Sequence, residues 1–111
     1  GRIINIASTS GHRGRTNATA YPAAKGGLLN LTKAIAAQLA PHHIRVNSIT
    51  PNRVMTEVGP GEVPRNWEVT NLIGRQITPR DVADVAVFLA SPQADAMTGS
   101  DLLVEGGVLA I

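Results

Sequence analysis

Apolar residues follow two different periods along this chain, and they predict alternating strands and helices. Ile3–Ala7 is a short apolar run rich in β-branched residues, typical of a strand buried on both faces of a parallel sheet. Over 22–39, leucines and an isoleucine recur at spacings of three and four, which is the period of an α-helix. Apolar runs at 44–49 and 102–104 predict a second and a third strand.

Between the second and third strands the pattern predicts a long irregular segment and another helix. Residues 51–79 are irregular in composition, with a short helix expected around Arg65 to Gly74, and such long loops are usually functional. Thr78 precedes Pro79, and Asp81 falls in the first turn, which is a typical helix start. The apolar face expected for this helix consists of Val82, Val85, Ala86 and Leu89.

The order strand, helix, strand, loop, helix, strand indicates an α/β fold. Helical crossovers join parallel strands through right-handed connections, so we expect about three parallel strands with flanking helices. Ligands of such sheets bind beyond the carboxyl ends of the strands. Ser8, the start of the first helix and the segment after Pro51 all belong to this edge.

Composition narrows the class of protein. Of the 111 residues, 43% are hydrophobic and 16% charged, as in a packed domain, and the net charge is only +2 without a basic stripe. Nucleic-acid binding is therefore not expected. Without cysteine or a membrane-length apolar run, we expect no disulfide, no membrane partner and a cytoplasmic location. The adjacent His42 and His43 diverge at a helix end, so we expect a solvated cap and no metal site.

Candidate chemistry lies in Ser8, Tyr21 and Lys25. Tyr21 and Lys25 are four residues apart, so on a helix the phenol and the ammonium share one face. A serine at the end of the preceding strand could meet them there. The three groups together would make a proton-transfer site, whereas the pair alone could be two unrelated helix residues.

For other polar residues the structural interpretation is favoured over a functional one. Asn5 and Asn47 are expected to tie backbone segments together, because buried amides need partners. We expect the loop at 12–15, with His12, Arg13 and Arg15, to be solvated, the alternative being contact with a polar or acidic substrate.

Four further residues carry expectations of their own. Gly26 and Gly27 are unfavourable in a helix, which indicates close approach by a backbone, a helix or a ligand. Met55 and Trp67 could line a substrate pocket or pin the long loop to the core.

Five segments in order resemble the C-terminal half of the short-chain dehydrogenase/reductase family. They are Gly1–Ser8, Tyr21–Gly27, Ile44–Pro51 with Val54 and Thr56, Thr98–Ser100 and Val104–Gly107. The resemblance spans the whole chain and implies the C-terminal part of a single Rossmann-type domain with a doubly wound parallel sheet. The chain's ending is similar to that of gluconate 5-dehydrogenase-type members, which implies a sugar acid, with a 3-oxoacyl-thioester reductase as the alternative.

The resemblance also implies an activity and roles for residues. The parent protein would interconvert an alcohol and a carbonyl with NAD or NADP, using Ser8, Tyr21 and Lys25 as catalytic residues. Tyr21 would be the general acid/base, and the charge of Lys25 would favour the phenolate. The cofactor-binding residues implied by the resemblance are Tyr21, Lys25, Pro51, Asn52, Val54 and Thr56.

Two departures from the family pattern qualify these expectations. Asn52 replaces the usual glycine after Pro51; it tolerates positive φ, but its side chain would enter space near the cofactor. The glycine-rich phosphate-binding turn and the family's catalytic asparagine do not occur in these 111 residues. The chain alone is therefore expected to be inactive, with a non-catalytic fragment that mediates subunit association as the alternative. The family implies a homo-oligomer, either a dimer or a tetramer.

Overall fold

The computed structural model describes residues 1–55 and 69–111 and shows three parallel strands with a helix on each face. The regular elements are β1 (Arg2–Ile6), α1 (Ala20–Leu39), β2 (Arg45–Pro51), α2 (Pro79–Ala90) and β3 (Asp101–Val104). The strand order is β1-β2-β3, and Asn5 pairs with Ser48, which pairs in turn with Asp101. The predicted α/β fold is confirmed, with element boundaries shifted by one or two residues.

Both helices begin as their sequences require. Pro22 lies in the first turn of α1, where backbone N–H groups have no acceptor within the helix. α2 begins with a capping box, in which the Thr78 side chain accepts from Asp81 N and the Asp81 carboxylate accepts from Thr78 N.

The two faces of the sheet are chemically different. Successive residues of a strand point to opposite faces. On the α2 side, Ile49 and Leu89 form a core with Ala94, and Ile4 and Leu102 pack against it. On the α1 side, polar contacts accompany the buried Val46 and Ala36: Asn5 Nδ2 of β1 donates to Thr32 Oγ1 of α1 at 3.0 Å.

Polar side chains tie strand β2 to the segment that precedes β3. Asn47 Nδ2 donates to Met97 O at 2.9 Å, and Asn47 Oδ1 accepts from Ser100 N at 3.0 Å. This confirms the prediction for Asn47, while Asn5 joins a strand to a helix side chain and not to a backbone group. Both amides therefore hold elements together.

Two sequence-based predictions are wrong. β1 is not buried on both faces: Ile3 is 38% and Ile6 45% exposed, because in the described part of the chain β1 borders β2 alone. The short helix expected around Arg65 to Gly74 is absent from residues 69–74, which form a turn held by Asn71 Oδ1 accepting from Gly74 N. Residues 65–68, including Trp67, lie outside the described residues.

Candidate active site

Ser8 follows the carboxyl end of β1 and begins a tight turn. Its Oγ accepts a hydrogen bond from Ser10 N at 3.2 Å, which caps the short 3₁₀ helix Thr9–Gly11. The serine hydroxyl is therefore fixed at the edge of the sheet where ligands of parallel α/β folds bind.

Tyr21 and Lys25 lie on the first two turns of α1. Tyr21 is 48% exposed, and Lys25 Nζ lies 5.8 Å from the centroid of its ring. The same ammonium donates to Ile6 O, at the end of β1, at 2.8 Å. One cation thus connects the phenol-bearing helix to the strand that leads into Ser8.

Close backbone packing holds the serine turn against α1. A Cβ atom at Gly11 would lie 2.8 Å from the carbonyl carbon and oxygen of Lys25, and one at Gly26 would lie 3.3 Å from Gly11 O. The close approach predicted for Gly26 is confirmed. At Gly27 a Cβ would meet no described atom within 4 Å, so no described backbone or helix approaches it closely.

The end of β2 forms another wall of the site. Asn52 Oδ1 accepts a hydrogen bond from Thr9 Oγ1 at 3.3 Å. Its φ is not positive, so the loop does not need the backbone freedom of the family's glycine. Pro51 is the buried end of β2, and Val54 forms a parallel bridge with Ile77. Thr56 lies outside the described residues.

A cavity of about 570 Å³ opens at this edge of the sheet. Ser8 and Tyr21 both line it, and Asn52 contributes from β2, whereas Lys25 stands behind the Tyr21 ring. The other described lining residues are Thr9, Ser10, Arg13, Arg15, Arg53 and Thr70. A phenol and a hydroxyl facing one space, with an ammonium beside the phenol, can move a proton to or from an oxygen bound there.

Three of these lining residues add to the sequence-based predictions, and the exposure of Arg13 and Arg15 agrees with the predicted solvated loop. Arg13 and Arg15, expected on a solvated loop, face the cavity, and Thr70 comes from far along the chain. Sequence reasoning missed Thr70 because the irregular segment carries no period that places it. For Arg13 and Arg15, the feature of the sequence that could have indicated this position is that they lie in the loop that follows a strand.

His12 is exposed, as expected of a solvated loop, but it also has partners that the sequence did not predict. Its Nε2 lies 2.8 Å from Asp101 Oδ2 and 3.3 Å from Thr50 Oγ1. Asp101 in turn accepts from Ser48 Oγ at 2.6 Å and from Thr50 Oγ1 at 2.8 Å. His12 therefore fastens the loop after Ser8 to the middle of the sheet. His42 and His43 are exposed, as expected.

The three-stranded parallel sheet with its flanking helices is of the Rossmann type, and comparison with known proteins specifies the family. A family model described as enoyl-(acyl carrier protein) reductase matches residues 1–109. The chain belongs to the short-chain dehydrogenase/reductase family.

Individual relatives agree with this membership. The chain is 40% identical to trans-4-hydroxycyclohexanecarboxylate dehydrogenase of Sinomonas cyclohexanicum, over 96% of this chain and 40% of that protein. It is also 40% identical to the 3-oxoacyl-[acyl-carrier-protein] reductase FabG of Chlamydia pneumoniae, over 97% of this chain and 45% of the relative.

A solved structure extends the agreement to the fold. A 4-hydroxyisoleucine dehydrogenase mutant complexed with NADH and succinate superimposes with a TM-score of 0.91 at 33% identity, covering 100% of this chain and 48% of that one. The chain thus spans less than half the length of these relatives. Among residues 1–55 and 69–111, no helix is both long and apolar enough to cross a membrane.

Proposed function

We propose that this chain is the catalytic C-terminal part of an NAD(P)-dependent oxidoreductase that interconverts an alcohol and a carbonyl. The observation that carries the proposal is the shared cavity of Ser8 and Tyr21, with the Lys25 ammonium against the tyrosine ring. Because the chain covers under half of its relatives, the activity is assigned to a full-length protein that contains it.

Each of the three side chains has a distinct role in the proposed reaction. Tyr21 is the general acid/base that gives a proton to, or takes one from, the substrate oxygen. The positive charge of Lys25 stabilises negative charge that develops on the phenol oxygen during proton transfer, and its bond to Ile6 O keeps that charge in place. Ser8 donates a hydrogen bond that polarises the reacting carbonyl or orients the alcohol.

The nicotinamide cofactor supplies or accepts the hydride when it is bound. The chain fits the nicotinamide end of such a cofactor: the cavity beside Tyr21 is open, and its walls at Asn52 and Thr9 offer polar atoms. Pro51, Asn52, Val54 and Thr56 are proposed to contact it, with Tyr21 and Lys25. The proposed cofactor is NAD or NADP.

The substrate is proposed only as far as an alcohol or its carbonyl. The names of the relatives cover a hydroxycarboxylate and a 3-oxoacyl thioester, which have the reacting group in common and little else. The ending of the chain, similar to gluconate 5-dehydrogenase, adds a sugar acid to these candidates.

Substitution of Tyr21 tests the proposed chemistry. Tyr21→Phe keeps the ring but removes the hydroxyl, and we expect kcat to fall by about 10²–10⁴-fold with cofactor affinity unchanged. Lys25→Met should lower kcat as well, whereas Lys33→Met, on an exposed part of α1, should not. A full-length protein whose turnover survives Tyr21→Phe would contradict the assignment.

The alternative is a non-catalytic fragment that mediates subunit association as part of a homo-oligomer. The exposed Ile3 and Ile6 on the edge strand β1 favour association with another chain or segment. Titration of the full-length protein with NAD and NADP, together with an assay of its turnover, separates the two. Cofactor affinity with turnover supports the enzyme, whereas self-association without cofactor affinity supports a role in subunit association alone.

A further inference from the structure

The cavity that holds Ser8 and Tyr21 is strongly positive. Arg13, Arg15 and Arg53 all line it, and its described lining residues include no aspartate or glutamate. A concave site lined by charges of one sign concentrates ligands of the opposite sign. A neutral alcohol would gain nothing from this arrangement.

The first two of these arginines are not used by described carboxylates. Among the residues that the structure describes, Arg2, Arg45, Arg75 and Arg80 each have an aspartate within 4.0 Å. No ion pair of this kind involves Arg13 or Arg15 in those same ranges, and both residues are exposed. Within the described residues, no carboxylate competes with an external anion for these two guanidinium groups.

The loop that carries Arg13 and Arg15 is held in place by contacts of its neighbouring residues. Gly11 packs against the backbone of Lys25, and His12 is held by Asp101 at 2.8 Å, immediately before Arg13. Arg15 is itself bridged to Ala18 across a tight turn. The positive charges thus extend from a fixed backbone and not from a free chain.

We propose that Arg13 and Arg15 bind a carboxylate of the substrate, so that the enzyme acts on small hydroxy acids and their oxo acids. Guanidinium groups present paired N–H donors that match the two oxygens of a carboxylate. The reacting alcohol or carbonyl then lies at Ser8 and Tyr21, with the acid group on the arginine side of the cavity. This inference rests on the proposed function. It narrows the proposed substrates, alcohols and their carbonyl counterparts, to those that carry a carboxylate.

Paired substrates that differ only in charge test this selection in the full-length protein. The pairs are 3-hydroxybutyrate, gluconate and trans-4-hydroxycyclohexanecarboxylate, each with its methyl ester. We expect at least one acid to have a kcat/KM about tenfold or more above that of its ester. Arg13→Gln and Arg15→Gln should each lower kcat/KM for that acid by about tenfold more than for its ester, mainly through KM.

Arg80 provides a matched control. It lies on α2 with its side chain 85% exposed and is absent from the cavity lining. Arg80→Gln should therefore leave kcat/KM unchanged for both the acid and the ester of each pair. Equal kcat/KM for acids and esters, with no effect of Arg13→Gln or Arg15→Gln, would overturn the carboxylate site while leaving the dehydrogenase assignment intact.

A binding measurement keeps the inference testable without turnover. In calorimetric titrations with succinate and with inorganic phosphate, we expect the full-length protein to bind succinate, and the double variant Arg13→Gln/Arg15→Gln to lose about tenfold or more in affinity. Succinate binding that is lost in this variant would support the carboxylate site even if the protein oxidised no alcohol. The absence of alcohol oxidation would contradict only the proposed function. Phosphate binding as tight as succinate binding, or no loss in the variant, would refute a site for carboxylates.

Discussion

At Gly11 the serine turn comes closest to helix α1. The carbonyl group of Lys25 occupies the space where a side chain would begin, and a backbone atom cannot rotate away as a side chain can. The serine turn can therefore lie this close to the helix that carries Tyr21 only because Gly11 has no Cβ atom.

Gly11→Ala should accordingly destabilise the fold and separate the proposed catalytic groups. Overpacking against backbone costs about 1–3 kcal/mol, so we expect a clear drop in the free energy of unfolding measured with urea. Gly27→Ala is the matched control, because a Cβ there meets no described atom within 4 Å and alanine favours the helix by about 1 kcal/mol. If both variants lose stability equally, the close contact at Gly11 does not determine the packing.

The residues of the site differ in how far the sequence could predict them. The meeting of Tyr21 and Lys25 is local, since it follows from one helical turn, and Ser8 is close in sequence. The partner of His12 is Asp101, far along the chain, and nothing in an irregular loop indicates which strand it will cross. For the same reason, nothing in the sequence indicated that Arg13 and Arg15, exposed as predicted, would also line the cavity.

Helix α2 begins with a charge-stabilised cap. The Arg75 guanidinium, 2.7 Å from the Asp81 carboxylate, holds the pKa of that carboxyl well below its usual range, and hydrogen bonds from Thr78 add to the effect. The same contact raises the pKa of Arg75. The helix start at Thr78 could be predicted from its capping pattern, whereas Arg75 lies in the irregular segment and gave no signal.

The sign of the effect on stability follows from the direction of the shift. Because the folded-state pKa of Asp81 lies below the unfolded value, the carboxylate stabilises the fold above about pH 4 and this contribution is lost as the pH falls. Asp81→Asn should therefore lower the Tm at pH 7, and its difference from the wild type should shrink in scans towards pH 2. Asp84→Asn, which removes a carboxylate 3.6 Å from Arg80, should show little of either effect. A Tm difference for Asp81→Asn that stays constant down to pH 2 would exclude the ion pair as its origin.

On the scale of the whole molecule, the two faces of the sheet differ in their polar contacts. The α2 face contains the core of Ile49, Leu89 and Ala94, while the α1 face carries the Asn5–Thr32 bond and the contacts of His12 beside the buried Val46. The period of α2 was enough to predict its apolar face. The polar contacts of the α1 face could not be predicted in this way, because they join residues that are distant in sequence. We therefore expect the α2 core to contribute strongly to stability, and the polar contacts of the α1 face to position the loop after Ser8.

Truncation of Leu89 tests this division. Leu89 is 1% exposed in the core, so Leu89→Ala should cost about 2–5 kcal/mol, a large share of the roughly 5–15 kcal/mol that stabilises a domain. Val87, two residues away on the same helix, is 69% exposed, and Val87→Ala should stay within about 0.5 kcal/mol of the wild type. Urea unfolding measures both differences, and hydrogen exchange in β2 should report the loss in Leu89→Ala because Ile49 packs on the same core. Similar losses in the two variants would mean that another chain or segment covers the Val87 side of α2 in solution. Burial across the sheet would then be more even than the described residues indicate.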